Sequence, residues 1–283
     1  MILHVLAGLI FVYVLIRLIL PLPVGKAIKL AAGLLLLLVS QQHAVIRHAF
    51  GGMASPELSV PLLLLSGWTF VSLLFLFLLL LLRDALLLLR RLIRGAGRVD
   101  GPPFSQGRRQ AIVTALAVIP AAYGVRQGFV APGVHHVEAR LPKLPKELDG
   151  LALVQISDLH VSPLLQESRV RAVVDRVNAL EPDLVLFTGD TVDGLPERRA
   201  GCVAPLKDLR ARYGVFGCAG NHEYYGDYAA WMRTFPALGL TMLPNEHAVL
   251  TIRGRKLVVA GVTDMAAGRF SLPGPDIAGA LAG

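Results

Sequence analysis

Residues 151–160 read LALVQISDLH, residues 184–193 read LVLFTGDTVD and residues 214–223 read GVFGCAGNHE. Each opens with a short apolar run and closes on residues able to hold a cation: Asp158 and His160, then Asp190 and Asp193, then Asn221 and His222. Short apolar runs bounded by turn residues read as buried strands, here Leu151 to Ser157, Leu184 to Thr188 and Val215 to Ala219. Between the first two, Val170, Val173, Val174, Val177 and Leu180 recur at helical spacing, while Arg169, Arg171, Asp175 and Arg176 take the other face, which predicts a helix over Glu167 to Leu180. A second helix is expected over Val203 to Arg212. Alternating strand and helix implies right-handed crossovers and a parallel sheet covered on both faces. Ligands bind such sheets at the carboxyl ends of the strands, so all three polar clusters converge on one edge. A lone Asp-x-His or Gly-Asp is as well explained by a turn; three in order, each after an apolar strand, point to a metal site.

Ser157-Asp158-Leu159-His160, Gly189-Asp190-Thr191-Val192-Asp193 and Gly220-Asn221-His222-Glu223 resemble the first three motifs of the calcineurin-like metallophosphoesterases. The resemblance runs from about Val137 onward and is nearest to the bacterial membrane-associated branch, where Leu148-Asp149-Gly150 leads into the first motif and Leu243-Pro244-Asn245-Glu246-His247 follows the third. It implies a calcineurin-like β-sandwich with flanking helices and two divalent metal ions, Mn, Fe or Zn. Asp158 and His160 would hold one ion, Asp190 would bridge both and Asn221 would hold the second. Paired cations of this kind activate a water for attack on phosphorus. His222 would face the substrate phosphate, and Asp193 would orient His222 through its other ring nitrogen.

Upstream the texture is different. Hydrophobic residues make up 54% of the 283-residue chain, above the soluble norm. Residues 1–128 hold twelve Lys/Arg against three Asp/Glu and the remainder sixteen against seventeen, so the overall +8 is +9 and −1. The positive charge flanks apolar segments instead of lying on the folded half, which excludes a nucleic-acid reading and fits membrane topology. Four apolar stretches are expected as spans: Ile2 to Leu20, Ala27 to Val45, Val60 to Leu82 ending at Arg83, and Gln110 to Val125, the last interrupted by Pro120 and equally readable as a re-entrant or signal-like piece. The loop carrying Arg83, Arg90, Arg91, Arg94, Arg98, Arg108 and Arg109 against Asp84 and Asp100 is assigned to the cytoplasm, which makes a multi-pass anchor and places the folded domain outside it. Arg108-Arg109 loosely resembles a twin-arginine signal, with a topogenic role preferred. Arg17, Gln41, Gln42 and His43 are expected to snorkel or sit at the interface. Cys202 and Cys218 form neither a disulfide framework nor a metal motif.

The expected organisation is α/β: a membrane anchor over 1–128, a linker and first strand over 129–148, and the phosphoesterase domain over 149–283. After Asp227 a helix with Trp231 and Phe235 and a hairpin of His247 to Ile252 and Lys256 to Val262 about Arg253-Gly254 are expected. The family continues into a strand ending in His and a Gly-His-x-His turn, and nothing after Glu223 matches these, so the domain is expected to be incomplete. His247 reads as a strand residue. The expected function is a membrane-tethered phosphoesterase acting on a phosphate mono- or diester or a lipid-linked pyrophosphate, with membrane lipid as its other partner. The alternative is an inactive truncated membrane protein whose phosphoesterase remnant serves binding or structure.

Overall fold

The computed structural model describes residues 2–50, 56–94 and 105–282. The chain divides into two compact units, Met1–Val130 and Ala131–Gly283.

The first unit is helical. α1 (Ile2–Val14) runs into a π-helical turn at Leu15–Ile19, and α2 (Lys26–Phe50), α3 (Val60–Arg94) and α4 (Gln106–Gln127) follow. Two helices, Lys26–Ala49 and Val60–Ile93, are long and apolar enough to cross a membrane, and Leu3–Ile19 is a shorter apolar one. Leu34, Leu35, Leu38, Leu62, Leu82 and Ile93 are all exposed, a belt of apolar surface that water penalises. α3 does not stop at Arg83 as expected: nothing in Arg83 to Arg94 breaks a helix, so Arg83, Arg90 and Arg91 lie on its last turns instead of in a loop. Arg98 and Asp100 of the same basic segment lie outside the described residues.

Several polar residues of the helical unit pair across helices. Arg17 Nε lies 2.7 Å from an Asp84 Oδ2 that also accepts a hydrogen bond from the Tyr13 hydroxyl at 2.8 Å. Gln42 exchanges two hydrogen bonds with Ser66, and His43 Nε2 lies 2.9 Å from His4 Nδ1. The physical reason is that a polar group within an apolar bundle costs more unpaired than it does when paired across helices.

In the second unit β1 (Leu153–Ile156), β2 (Leu184–Thr188), β3 (Val215–Cys218) and β4 (Thr241–Met242) form one sheet in the order β1-β2-β3-β4, every pair parallel. The parallel α/β domain expected from the sequence is therefore present, behind apolar helices. Side chains alternate across β2. Val185 and Phe187 join the valines of α5 (Glu167–Asn178) together with Trp231 and Phe235 of α8 (Tyr228–Ala237); Leu184 faces Leu148, Phe216, Leu243 and Ile252 on the opposite side. Val170, Val173, Val174 and Val177 of α5 are all buried, each worth about 1.5–3 kcal/mol before the entropy of ordering is subtracted. The opposite face is covered by the antiparallel hairpin of β5 (Glu246–Ile252) and β6 (Arg255–Gly261). Its two-residue turn has φ 49° at Arg253 and 77° at Gly254, the doubly left-handed geometry that matches strand twist.

Two further elements depart from the sequence reading. The helix expected over Val203 to Arg212 is instead α6 (Pro196–Val203), with a 3-10 turn at Ala204–Asp208. Pro196 opens α6 with its fixed φ, and Pro205 cannot continue it because it lacks the N–H the ladder needs. No strand lies between residues 129 and 148, where only a 3-10 turn at Lys146–Leu148 is regular, and the two-residue β4 is too short to leave a pattern.

Candidate metal centre

The three polar clusters occupy the loops that leave β1, β2 and β3 at one end of the sheet. Parallel pairing extends past the strands, since Asp158 N–H donates to the Gly189 carbonyl at 3.2 Å and His160 N–H to the Asp190 carbonyl at 3.0 Å. This ties the first loop to the second. Asp158, His160 and Asp190 have φ of 56°, 45° and 53°, so three candidate ligands sit in the left-handed region that side chains other than glycine seldom adopt. Such conformations persist where the surroundings over-determine them, and they cluster at functional sites.

The second and third loops interlock through their glycines. A Cβ on Gly189 would stand 2.4 Å from the Gly220 nitrogen, and one on Gly220 would stand 2.3 Å from Asp190 Oδ1. The close approach lets the His222 N–H donate to Asp190 Oδ1 at 3.0 Å from the start of α7 (Asn221–Tyr225).

Glu223 completes the joint. It is fully buried, and its two oxygens accept from the backbone N–H groups of Thr191 (2.7 Å), Val192 (3.3 Å), Asp190 (3.1 Å) and Gly220 (2.7 Å). Burial pushes its carboxyl up, and the backbone donors oppose that rise. The sequence reading quoted Glu223 within the third motif and gave it no task. A carboxylate one position after a candidate ligand, on a short turn, is the signal that could have drawn attention to it.

At the centre, His160, Asp190 and His222 each bring one ligand atom within 4.8 Å of the others. His160 Nε2 lies 3.6 Å from Asp158 Oδ1 and 3.9 Å from Asp190 Oδ2. Behind them a single oxygen, Asp193 Oδ1, takes His160 Nδ1 at 3.1 Å and His222 Nδ1 at 2.5 Å. A carboxylate only accepts, so both imidazoles carry their proton on Nδ1 and present Nε2 away from Asp193. Asp193 thus sets the tautomer of two rings, where the sequence suggested one. Burial works against a cation on His160. The Asp193 hydrogen bond and the charges of Asp193, Asp190 and Asp158 outweigh it and hold the His160 pKa above that of an ordinary imidazole.

Asn221 is half-buried at the start of α7 beside this group. His247 is elsewhere, bonded through Nδ1 to the Ala280 carbonyl at 2.7 Å in β5. Cys202 and Cys218 are both free thiols. The donor set of carboxylates and imidazoles, held in strained loops with negative charges converging, fits a divalent cation of intermediate hardness.

The profile of the calcineurin-like phosphoesterase family matches residues 151–273. A zebrafish protein described as a transmembrane protein with metallophosphoesterase domain is 33% identical over 171 residues, covering 59% of this chain and 39% of the relative. The cattle protein of the same description is 32% identical over 201 residues, 66% and 45%. An uncharacterized metallophosphoesterase of Helicobacter pylori is 35% identical over 158 residues, 56% and 41%. The chain spans less than half the length of each of these relatives. No solved structure gives a significant match.

Proposed function

We propose, from the premise that residues 151–273 form a calcineurin-like phosphoesterase domain, that the chain is a membrane-tethered, metal-dependent phosphoesterase cleaving phosphate mono- or diesters. The observation that carries the reading is the gathering of His160, Asp190 and His222 within ligand distance while Asp193 holds both imidazoles from behind. Asp158, His160, Asp190 and Asn221 are the side chains that would hold two divalent ions. When bound, such ions supply Lewis-acid stabilisation of the phosphate and an activated water at neutral pH. The chain's own part is to position them and to manage a proton. His222, its Nδ1–H bonded to Asp193, turns Nε2 toward the site, where it takes up a proton and passes it to the departing ester oxygen. Asp193 keeps that ring from turning.

The expected result with the purified chain in detergent is release of nitrophenol from bis-p-nitrophenyl phosphate when Mn²⁺ is added and none after chelation. Because a cation must displace the proton on His160 Nε2, and that proton leaves at a higher pH than an ordinary imidazole's, occupancy and rate should fall as pH drops through a range above the usual imidazole value. Equal rates with and without chelator at every pH would sink the reading.

The same proposal places α2 and α3 across a membrane as part of a multi-pass anchor. At 35 residues α3 is about 52 Å long, against a hydrocarbon layer of roughly 30 Å. Its Arg83, Arg90 and Arg91 end therefore projects into water, and the bias of such residues assigns that end to the cytoplasm; with α4 as a further crossing, the phosphoesterase domain lies on the far side. A reporter active only outside the cytoplasm should light up when fused after Val137; a signal confined to a cytoplasmic reporter overturns the orientation.

A further inference from the structure

The metal-capable cluster continues on one side into a row of rings. His160 stands edge-on to His222 at 4.5 Å between centroids, His222 meets Tyr225 at 5.4 Å and 61°, and Tyr225 lies 6.1 Å from Phe270. The row is anchored from beneath. Tyr224 is 2% exposed, stacks on Tyr228 at 4.3 Å and lies 5.9 Å from Phe270, which fixes α7 against the 3-10 turn at Met265–Phe270. Tyr224 is therefore core. Tyr225 and Phe270 are different, since they remain 48% and 42% exposed although each touches the row.

Aromatic rings associate at centroid distances of about 4.5–7 Å, offset or edge to face, so this spacing leaves the outer ring surfaces free for one more planar group. In an aryl or nucleoside phosphoester the ring is joined to phosphorus through a short linker. With Tyr225 5.4 Å from His222 and Phe270 6.1 Å from Tyr225, both rings lie within reach of the substituent of a phosphate held at His222. We propose that Tyr225 and Phe270 form a stacking wall for a planar aromatic substituent of the phosphoester, an aryl group or a nucleobase, and that they set specificity without taking part in bond breaking. This rests on the phosphoesterase reading above.

The test is calorimetric binding of methyl-, phenyl- and octylphosphonate to the full chain in detergent with Mn²⁺; their C–P bonds are not hydrolysed, so binding is read apart from turnover. Phenylphosphonate is expected to bind about tenfold tighter than methylphosphonate, within the range that ring stacking supplies. Tyr225→Ala and Phe270→Ala should each erode that preference while leaving methylphosphonate affinity unchanged, and Tyr225→Phe should keep it. The wall is overturned if wild type shows no phenyl preference, if octylphosphonate gains as much as phenyl, or if the alanine variants weaken methyl and phenyl alike. Failure of all three phosphonates to bind removes the phosphoesterase reading and the wall together. Equal binding of all three removes the wall alone.

Discussion

Asp190→Asn is expected to abolish metal uptake and hydrolysis together and to leave the fold standing. The position suits this separation. Its φ of 53° lies in the left-handed region that asparagine tolerates as well as aspartate does, so the backbone has no reason to move. Oδ1 accepts from the His222 N–H at 3.0 Å, and an amide oxygen placed there can accept the same bond. What is lost is charge at the centre of the group, where His160 Nε2 stands 3.9 Å from Oδ2. Partners that merely orient metal ligands contribute 10–100-fold when removed, so loss of a ligand itself should exceed about 100-fold in rate. Metal content by elemental analysis, nitrophenol release and a thermal melt decide it. A variant that melts with wild type and hydrolyses nothing supports the assignment; wild-type turnover would refute it.

The sequence carried the sheet and its ligand-bearing edge because both are local. The α5 valines repeat at helical spacing, and each motif follows its own strand, so neither needs a distant partner to be recognised. What escaped is what arises only when loops meet. Asp193 was assigned one imidazole, but His160 and His222, 62 positions apart in numbering, converge on the same Oδ1. The Arg17–Asp84 contact joins residues too far apart for any window to pair, and snorkelling is the natural reading of an isolated arginine. The misplaced helix has a different cause: α6 buries Val203 but carries Glu197, Arg198 and Arg199 in its first turns, so it shows little apolar periodicity beside the more apolar segment that follows.

Glu223 is where fold and chemistry join most tightly. Its side chain lies under the site, beyond reach of solvent, and each of its oxygens accepts two backbone N–H groups: Oε1 from Thr191 and Val192, Oε2 from Asp190 and Gly220. Those donors belong to the loops leaving β2 and β3, so one carboxylate fixes the separation of Asp190 from His222. In Glu223→Gln one acceptor oxygen becomes an NH₂ group that faces two N–H donors. Two hydrogen bonds are then lost and their donors stranded in the interior, at about 1–3 kcal/mol each. A total of roughly 2–6 kcal/mol would take a large share of the 5–15 kcal/mol that holds an ordinary domain folded. The expected outcome is a clear fall in melting temperature accompanied by weaker metal binding and slower hydrolysis, because loosened loops no longer present His160, Asp190 and His222 to one point. That joint loss separates it from Asp190→Asn, which removes the chemistry and spares the melt. A Glu223→Gln protein with unchanged melting temperature and unchanged turnover would show that the backbone of the two loops holds itself in place without the buried carboxylate.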